Sequence, residues 1–236
     1  GESVTLTVTF SEAVNVTGTP TIALNSGGSA SYTSGSGSNQ LTFTYTPAAT
    51  QSTSDLATAT TSAFSGTITD AAGNAVVASG FNNVNPTGTL AVDTAAPTAT
   101  LTAASIPNTS SVTVQSTETG TAYLVNTSVT VTNLASITGA ASNLRASASI
   151  TTANSNTSLS PTGLVDGTYR LYTVDAAGNL SAASTNSVTI DSTAPTVSSI
   201  AYGTNDGNLA AGESVTLTVT FSEAVNVTGT PTIALN

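Results

Sequence analysis

Apolar residues alternate with threonine along several short stretches of this chain. From Val4 to Phe10 each apolar side chain is separated from the next by a threonine, and Leu41–Thr46 repeats the pattern. A period of two places the apolar class on one face of a strand and the polar class on the other. Shorter versions of the alternation predict strands at Val112–Val114 and Val129–Val131. Threonine suits a solvated, pleated surface, so we predict half-buried strands.

Turn-forming residues separate these stretches. Clusters of serine, glycine and asparagine, such as Ser26–Gly28 and Ser34–Ser38, are typical of turns between strands. No amphipathic helical stretch of useful length is visible in the sequence. The pattern therefore predicts an all-β fold.

A long repeat indicates how the strands are organised. The segments Gly1–Asn25 and Gly212–Asn236 are identical over 25 residues. Identity at this level is typical of a tandem array. We expect the sequence to be a window cut from a continuous array or filament, in which one translation superposes the two copies.

A second repeat predicts the domain boundaries. Asp93–Pro97 and Asp191–Pro195 share the pattern D-x-x-A-P. Proline cannot donate to a strand ladder, so one strand should end near the aspartate and another should begin after the proline. The expected segments are residues 1–94 (a domain lacking its first strand), 95–193 (a complete domain) and 194–236 (the first strands of the next domain).

The size and strand spacing of these segments fit antiparallel β-sandwiches of about 100 residues. For the complete domain we predict a seven-strand sandwich without long helices. Four side chains should lie inside it: Val112, Val114, Tyr169 and Leu171.

Several motifs recur in the same order in both kinds of domain. The sequence D-A-A-G-N occurs at Asp70–Asn74 and Asp175–Asn179, F-S-E-A-V occurs at Phe10–Val14, and Leu164–Tyr169 is similar to a tyrosine corner. With the D-x-x-A-P linkers, this set resembles the bacterial Ig-like repeats of giant secreted cell-surface adhesins and repetitive surface-filament proteins.

The resemblance implies tandem Ig-like sandwiches arranged as an elongated rod outside the cell. Neighbouring repeats of the same chain or filament would be the partners, and threads could also associate laterally. Many proteins of this kind are loaded with calcium.

Composition excludes several other functions. The chain has 12 acidic residues, Arg145 and Arg170 as its basic residues, and a net charge of -10, which argues against nucleic acid and anionic membranes. Its longest apolar runs fall short of the roughly 18 residues of a membrane-spanning helix. Cysteine and histidine are absent, which removes disulfides, classical zinc sites and Ser-His or Cys-His nucleophile pairs. A carboxylate-pair enzyme stays formally open, but we expect no enzyme.

The acids occupy corresponding places in the two domain types. Glu12, its copy Glu223, and Glu118 each follow a strand that would be the second strand of an Ig-like order. Asp70 and Asp175 each begin a D-A-A-G-N loop. In an Ig-like sandwich both kinds of loop lie at the same end, where the preceding linker also enters.

Linker aspartates should therefore meet these loop acids at the domain junctions. We expect Asp93, Glu118 and Asp175 to converge at one junction, and Asp191 and Glu223 at the next. Clustered carboxylates repel unless their pKa values rise or a cation binds, and calcium takes six to eight oxygen ligands. Calcium is thus the predicted cofactor.

A simpler interpretation is that these acids are separate turn residues, since aspartate often begins turns. Asn205–Asn208 resembles part of a calcium loop but lacks the glutamate at EF-hand spacing, and is more typical of a turn. Asp166 is expected to cap the turn before Tyr169.

Two functions of different classes follow from these observations. The first is a structural segment that extends and stiffens a bacterial thread or adhesin stalk. The alternative is a module that binds glycan, mineral or ice through its outward threonine rows, although any solvated strand face shows such rows.

Overall fold

A computed structural model describes residues 2–204 and 207–235 of the chain. The chain is mostly β, with several antiparallel sheets, which confirms the all-β prediction. Asn205 and Asp206, half of the Asn205–Asn208 motif, lie outside the described residues. Within the described residues, no helix combines the length and the apolar character needed to cross a membrane.

The elements are short, apart from the first strand. A five-residue helix α1 spans Leu134–Thr138, and single 3-10 turns lie at Ala78–Phe81 and Ser142–Leu144. The strands of the described residues are β1 Val4–Ala23, β2 Ser29–Ser34, β3 Ser38–Tyr45, β4 Phe64–Thr69, β5 Ala99–Leu101, β6 Ala104–Ile106, β7 Val112–Ser116, β8 Gly120–Asn126, β9 Arg145–Ile150, β10 Thr157–Leu159, β11 Gly167–Asp175, β12 Val188–Ile190, β13 Val197–Tyr202 and β14 Leu217–Phe221.

The N-terminal unit is built around β1. The sheet order is β2-β3-β1-β4, and β2 also pairs with β1. The first half of β1 pairs with β3, from Val4 opposite Tyr45 to Thr9 opposite Gln40, and the second half pairs with β4 and β2. Leu41, Phe43 and Tyr45 are buried, as the alternation along β3 predicts.

The central unit has two sheets that share one hydrophobic core. One sheet has the order β10-β7-β5 and the other β6-β12-β11-β8-β9. Within residues 95–193, all described, there are eight strands rather than the seven predicted. The reason is that the chain after the first linker forms two strands, of which β5 joins one sheet and β6 pairs in parallel with β12 in the other.

The four side chains predicted inside this unit are buried, with 3% or less of each exposed: Val112, Val114, Tyr169 and Leu171. The Tyr169 hydroxyl donates to the carbonyl of Val165 at 2.7 Å, which is the contact that the predicted tyrosine corner requires. Cross-strand contacts and this bond fix β11 against the turn before it.

One predicted strand is wrong. Val129–Val131 forms no strand, because the chain turns directly after β8, where the Asn126 side chain accepts a bond from the Ser128 amide at 2.9 Å. Both edges of β8 are already occupied, by β9 and β11. Asn133 then caps α1 by accepting from the Ser136 amide.

The predicted end of the first strand is also wrong. Glu12 does not follow a strand that stops at Phe10 but lies exposed within the 20-residue β1. The pairing with β3 shifts register between Thr9 and Val14, and β4 pairs with β1 from Asn15 onward. β1 therefore continues past Phe10 because β4 takes over as its sheet neighbour after the regular pairing with β3 ends.

Both basic residues lie in strands of the central unit. The Arg145 Nε on β9 donates to the Ala140 carbonyl at 3.1 Å. On β11, the Arg170 guanidinium donates to the Ser184 carbonyl at 2.8 Å. Each guanidinium is thus bonded to the backbone of its own unit.

Candidate cation site

Three carboxylates meet beside the first linker. Asp93 lies in the linker, Glu118 follows β7, and Asp175 is the last residue of β11. Each offers one carboxylate oxygen, and these three oxygens all lie within 4.8 Å of one another. This is the group expected from the sequence.

The loop after β11 holds both Asp175 and the linker. The Asn179 side-chain amide donates to the Asp175 carboxylate at 2.8 Å and to the backbone carbonyl of Asp93 at 3.2 Å. The Asn179 backbone amide donates to the other carboxylate oxygen of Asp175, also at 2.8 Å. The D-A-A-G-N loop thus orients one acid and bonds directly to the linker that carries another.

The linker is bonded to the loop of Glu118 as well. The Thr98 amide donates to the Thr117 hydroxyl at 2.9 Å, and the Thr117 amide donates to the Thr98 carbonyl at 3.2 Å. Glu118 follows immediately, and its amide donates to the Ser116 hydroxyl. Hydrogen bonds between the linker and the two loops therefore help to position the three acids.

The environment of the group disfavours three negative charges. Asp175 is 8% exposed, Glu118 is half-buried and Asp93 is exposed. Burial, and then the charges of Asp93 and Asp175, raise the pKa of Glu118 above its ordinary value of 4.5. A bound cation would remove this conflict.

The spacing suits one ion. Calcium ligands lie 2.3–2.6 Å from the metal, so two oxygens on the same ion can be at most about 5.2 Å apart. The separations within the group fall inside that limit. Asp93, Glu118 and Asp175 can therefore hold a metal ion together.

Gly120 is a structural part of this site that the sequence analysis did not identify. It pairs with Asp175 across β8 and β11, and a Cβ at this position would lie 2.0 Å from the Val174 carbonyl oxygen. Its φ of 149° is also rarely adopted by other residues. The signal was an isolated glycine at a strand start two residues after Glu118, which often marks close backbone approach.

The N-terminal unit has a partial counterpart of the group. Glu12 and Asp70 line the same cleft, of about 310 Å³. Asp70 accepts bonds from the Asn74 side chain at 2.7 Å and from the Asn74 and Ala72 amides, and these bonds lower its pKa. Within the described ranges, no third acid joins this pair.

At the second predicted junction, the convergence of Asp191 and Glu223 stays a prediction. Asp191 is exposed and accepts a bond from the Thr193 amide, and in the described part of the chain no group of three acids includes it. One carboxylate oxygen of Glu223 is enclosed without a hydrogen-bond partner among the described residues.

The Asp166 carboxylate bonds to the second linker rather than to the turn that it was expected to cap. Its carboxylate accepts from the Thr193 hydroxyl at 2.6 Å and the Ser192 amide at 2.8 Å, and these bonds lower its pKa. Asp166 therefore fixes the start of the second linker to the central unit.

Comparison with known proteins does not identify the chain. No protein-family model matches it, and no curated protein matches it. What the chain does must therefore be inferred from the acidic group, the sheets and the sequence repeats.

Proposed function

We propose that this chain is a structural repeat segment of a long bacterial extracellular filament or adhesin stalk. Tandem Ig-like sandwiches extend the thread, and calcium-bridged junctions stiffen it. The observation that carries the proposal is the acidic group, because it joins a linker aspartate to two loops of the following unit.

The strand arrangement of the central unit supports Ig-like sandwiches. A three-stranded sheet faces a five-stranded sheet over one core, with a parallel β6–β12 pair beside otherwise antiparallel strands. Tyr169 makes the corner bond that is a hallmark of immunoglobulin-like sandwiches. Neighbouring repeats are the partners in this arrangement.

The chemistry of the group favours calcium over magnesium. Three carboxylates and nearby backbone carbonyls supply hard oxygen ligands, and calcium accepts six to eight of these in flexible geometry. Magnesium keeps most of its waters and is seldom caged by protein alone. Calcium bound here would fix Asp93, and with it the linker, to Glu118 and Asp175.

Calcium titration of the purified chain by calorimetry tests the proposal. We expect a site that Asp175→Asn abolishes and Asp70→Asn retains, because both aspartates begin a D-A-A-G-N loop but Asp175 alone joins three acids among the described residues. At a free calcium concentration of 100 times Kd, binding adds about 2.7 kcal/mol to stability. Equal loss of binding in both variants, or no binding by the parent chain, would contradict the site.

A second candidate is a module that binds glycan, mineral or ice. Thr5 and Thr7 are exposed on β1 and lie opposite Thr44 and Thr42 of β3, so two neighbouring strands present threonine on one face. Retention on a glycan array or on mineral, lost in a Thr7→Lys variant, would favour this function.

A further inference from the structure

The first half of β1 has a sheet neighbour on one edge alone, as far as the described residues go. Val4–Thr9 pairs with β3, whereas β4 and β2 pair with β1 from Asn15 onward. The apolar side chains of this half are Val4, Leu6, Val8 and Phe10, and they are half-buried rather than buried.

The second copy of the repeat shows what this edge can accept. Leu217–Phe221 is identical in sequence to Leu6–Phe10 and pairs with β13. The register sets Tyr202 opposite Leu217, Ile200 opposite Val219, and Val197 opposite Phe221.

The central unit repeats the arrangement. There, β5 begins two residues after the proline of a D-x-x-A-P linker and pairs antiparallel with β7. β13 likewise begins two residues after Pro195 and pairs antiparallel with β14. In both described cases the strand after the linker occupies the edge that lies open on β1.

We propose that the open edge of β1 at Leu6–Phe10 binds the β13 strand of a second copy of this chain, in the register of the β13–β14 pair. Directly opposed residues share a face of the sheet, so three β13 side chains would meet the half-buried apolar row of β1. These side chains are strongly exposed in their own hairpin: Val197 54%, Ile200 55% and Tyr202 75%.

The surface beside this edge is apolar. Thr5–Thr9 line a groove of about 340 Å³ together with Phe81, Val84 and Pro86. The β13–β14 hairpin is a two-stranded sheet, and an isolated hairpin of this size is marginally stable. Exchange of β13 from its own hairpin would place Val197, Ile200 and Tyr202 beside a larger sheet that has a hydrophobic core.

The β13–β14 hairpin shows which backbone groups of β13 would face β1 in the docked state. The Gly203 amide donates to the Thr216 carbonyl at 2.7 Å, so every second residue before Gly203, including Ala201, directs its amide at the partner strand. By the identity of the repeats, the β1 residues with backbone groups on the open edge are Thr5, Thr7 and Thr9.

Cysteine cross-linking tests this docking, since the chain has no cysteine of its own. The proposed register places Ser199 of one copy opposite Thr9 of the other, because Ser199 pairs with Thr220 in the hairpin. Antiparallel neighbours lie about 4.5–5.5 Å apart, which is within disulfide reach. We expect S199C/T9C chains to oxidise to covalent dimers and longer oligomers at least about tenfold faster than the off-register S199C/T5C chains.

A proline pair provides the matched control. Ala201→Pro removes an amide that the docked strand needs, and should abolish cross-linking in the S199C/T9C background. Ser198→Pro should not, because Ser198 lies in the register shift of β13 and has no paired partner. Equal yields from the two cysteine pairs, or disulfides within single chains alone, would overturn the proposal.

This inference rests on the proposed function only in assuming that the chain is part of a longer thread. Docking uses β1 and β13, whereas the proposed calcium site uses Asp93, Glu118 and Asp175. Calcium binding that persists without cross-linking would therefore reject the docking alone, and cross-linking without calcium binding would reject the site alone.

Discussion

Glu118 is the residue at which the charge conflict of the acidic group is concentrated. Its pKa is raised, first by burial and then by Asp93 and Asp175. For a carboxyl group whose folded-state pKa exceeds its unfolded value, the contribution to stability is complete below the unfolded pKa and is lost as pH rises through the folded pKa. Without a cation, ionised Glu118 therefore destabilises the central unit at neutral pH.

We expect Glu118→Gln to melt at a higher temperature than the parent chain at pH 7 in a chelator. The difference should shrink as pH falls toward 4.5, the ordinary pKa of glutamate, because the parent side chain then becomes neutral too. In saturating calcium the order should reverse, since glutamine is the weaker ligand. Melting curves at both pH values check this, and a pH-independent difference would contradict the electrostatic cause.

Gly120 lies where the backbones of β8 and β11 approach closely, beside Asp175. Gly120→Ala should cost about 2–6 kcal/mol, because overpacking and a disfavoured φ each cost about 1–3 kcal/mol. Gly163→Ala is the control: its φ is 85° but a Cβ there meets nothing within 4 Å, so about 1–2 kcal/mol is expected. Urea unfolding of both variants measures the difference, and similar losses would mean that the contact with Val174 is relieved by a small shift.

Among the elements, β11 depends on the bond at its first turn. Tyr169→Phe removes the donor to the Val165 carbonyl while leaving the buried ring in place. We expect a loss of about 1–3 kcal/mol, the range for leaving a buried polar group unpaired. Tyr172→Phe on the opposite face of β11 should stay within about 0.5 kcal/mol of the parent.

The presence of a strand could be predicted where apolar and polar residues alternate clearly. The length of the strand could not be predicted. Identical residues form the 20-residue β1 in one copy and the five-residue β14 in the other. In the first copy β2, β3 and β4 all pair with the segment, whereas among the described residues β13 alone pairs with the second. Val129–Val131 also depends on its neighbours, because both edges of the preceding strand β8 are already occupied by β9 and β11.

The acidic group was predictable in part. Asp93, Glu118 and Asp175 could be grouped because repeated motifs assigned each to a loop or linker at one end of a sandwich. Their bonding through Asn179 and the need for Gly120 depend on backbone approach between residues far apart in sequence. Single-sequence periodicity contains no information on such distances.

At the scale of the whole molecule, docking and calcium binding should reinforce each other. Asp93 lies beside Glu118 and Asp175, and Glu12 and Asp70 line one cleft. By analogy, we expect a docked β13 to bring Asp191 of its own linker toward Glu12 and Asp70. Calcium should therefore raise the S199C/T9C cross-linking yield several-fold.

Asp191→Asn should remove this calcium effect and leave the yield in chelator unchanged. Asp93→Asn is the control, since Asp93 belongs to a group within one chain and should leave the calcium effect on cross-linking intact. Densitometry of non-reducing gels with and without calcium gives the answer. An equal calcium effect in the parent and in Asp191→Asn would contradict the coupling.

The placement of the two arginines lets the rate of trypsin cleavage report local unfolding of the central unit. Trypsin cuts after lysine or arginine, and Arg145 and Arg170 both lie within paired strands of the central unit. Cleavage must therefore await local unfolding, and its rate follows the population of the open form when closing is fast. We expect the native chain to be cut slowly at these two positions, and faster in chelator, as followed by mass spectrometry. A thread built from such units would resist trypsin-like proteases for as long as its units stay folded.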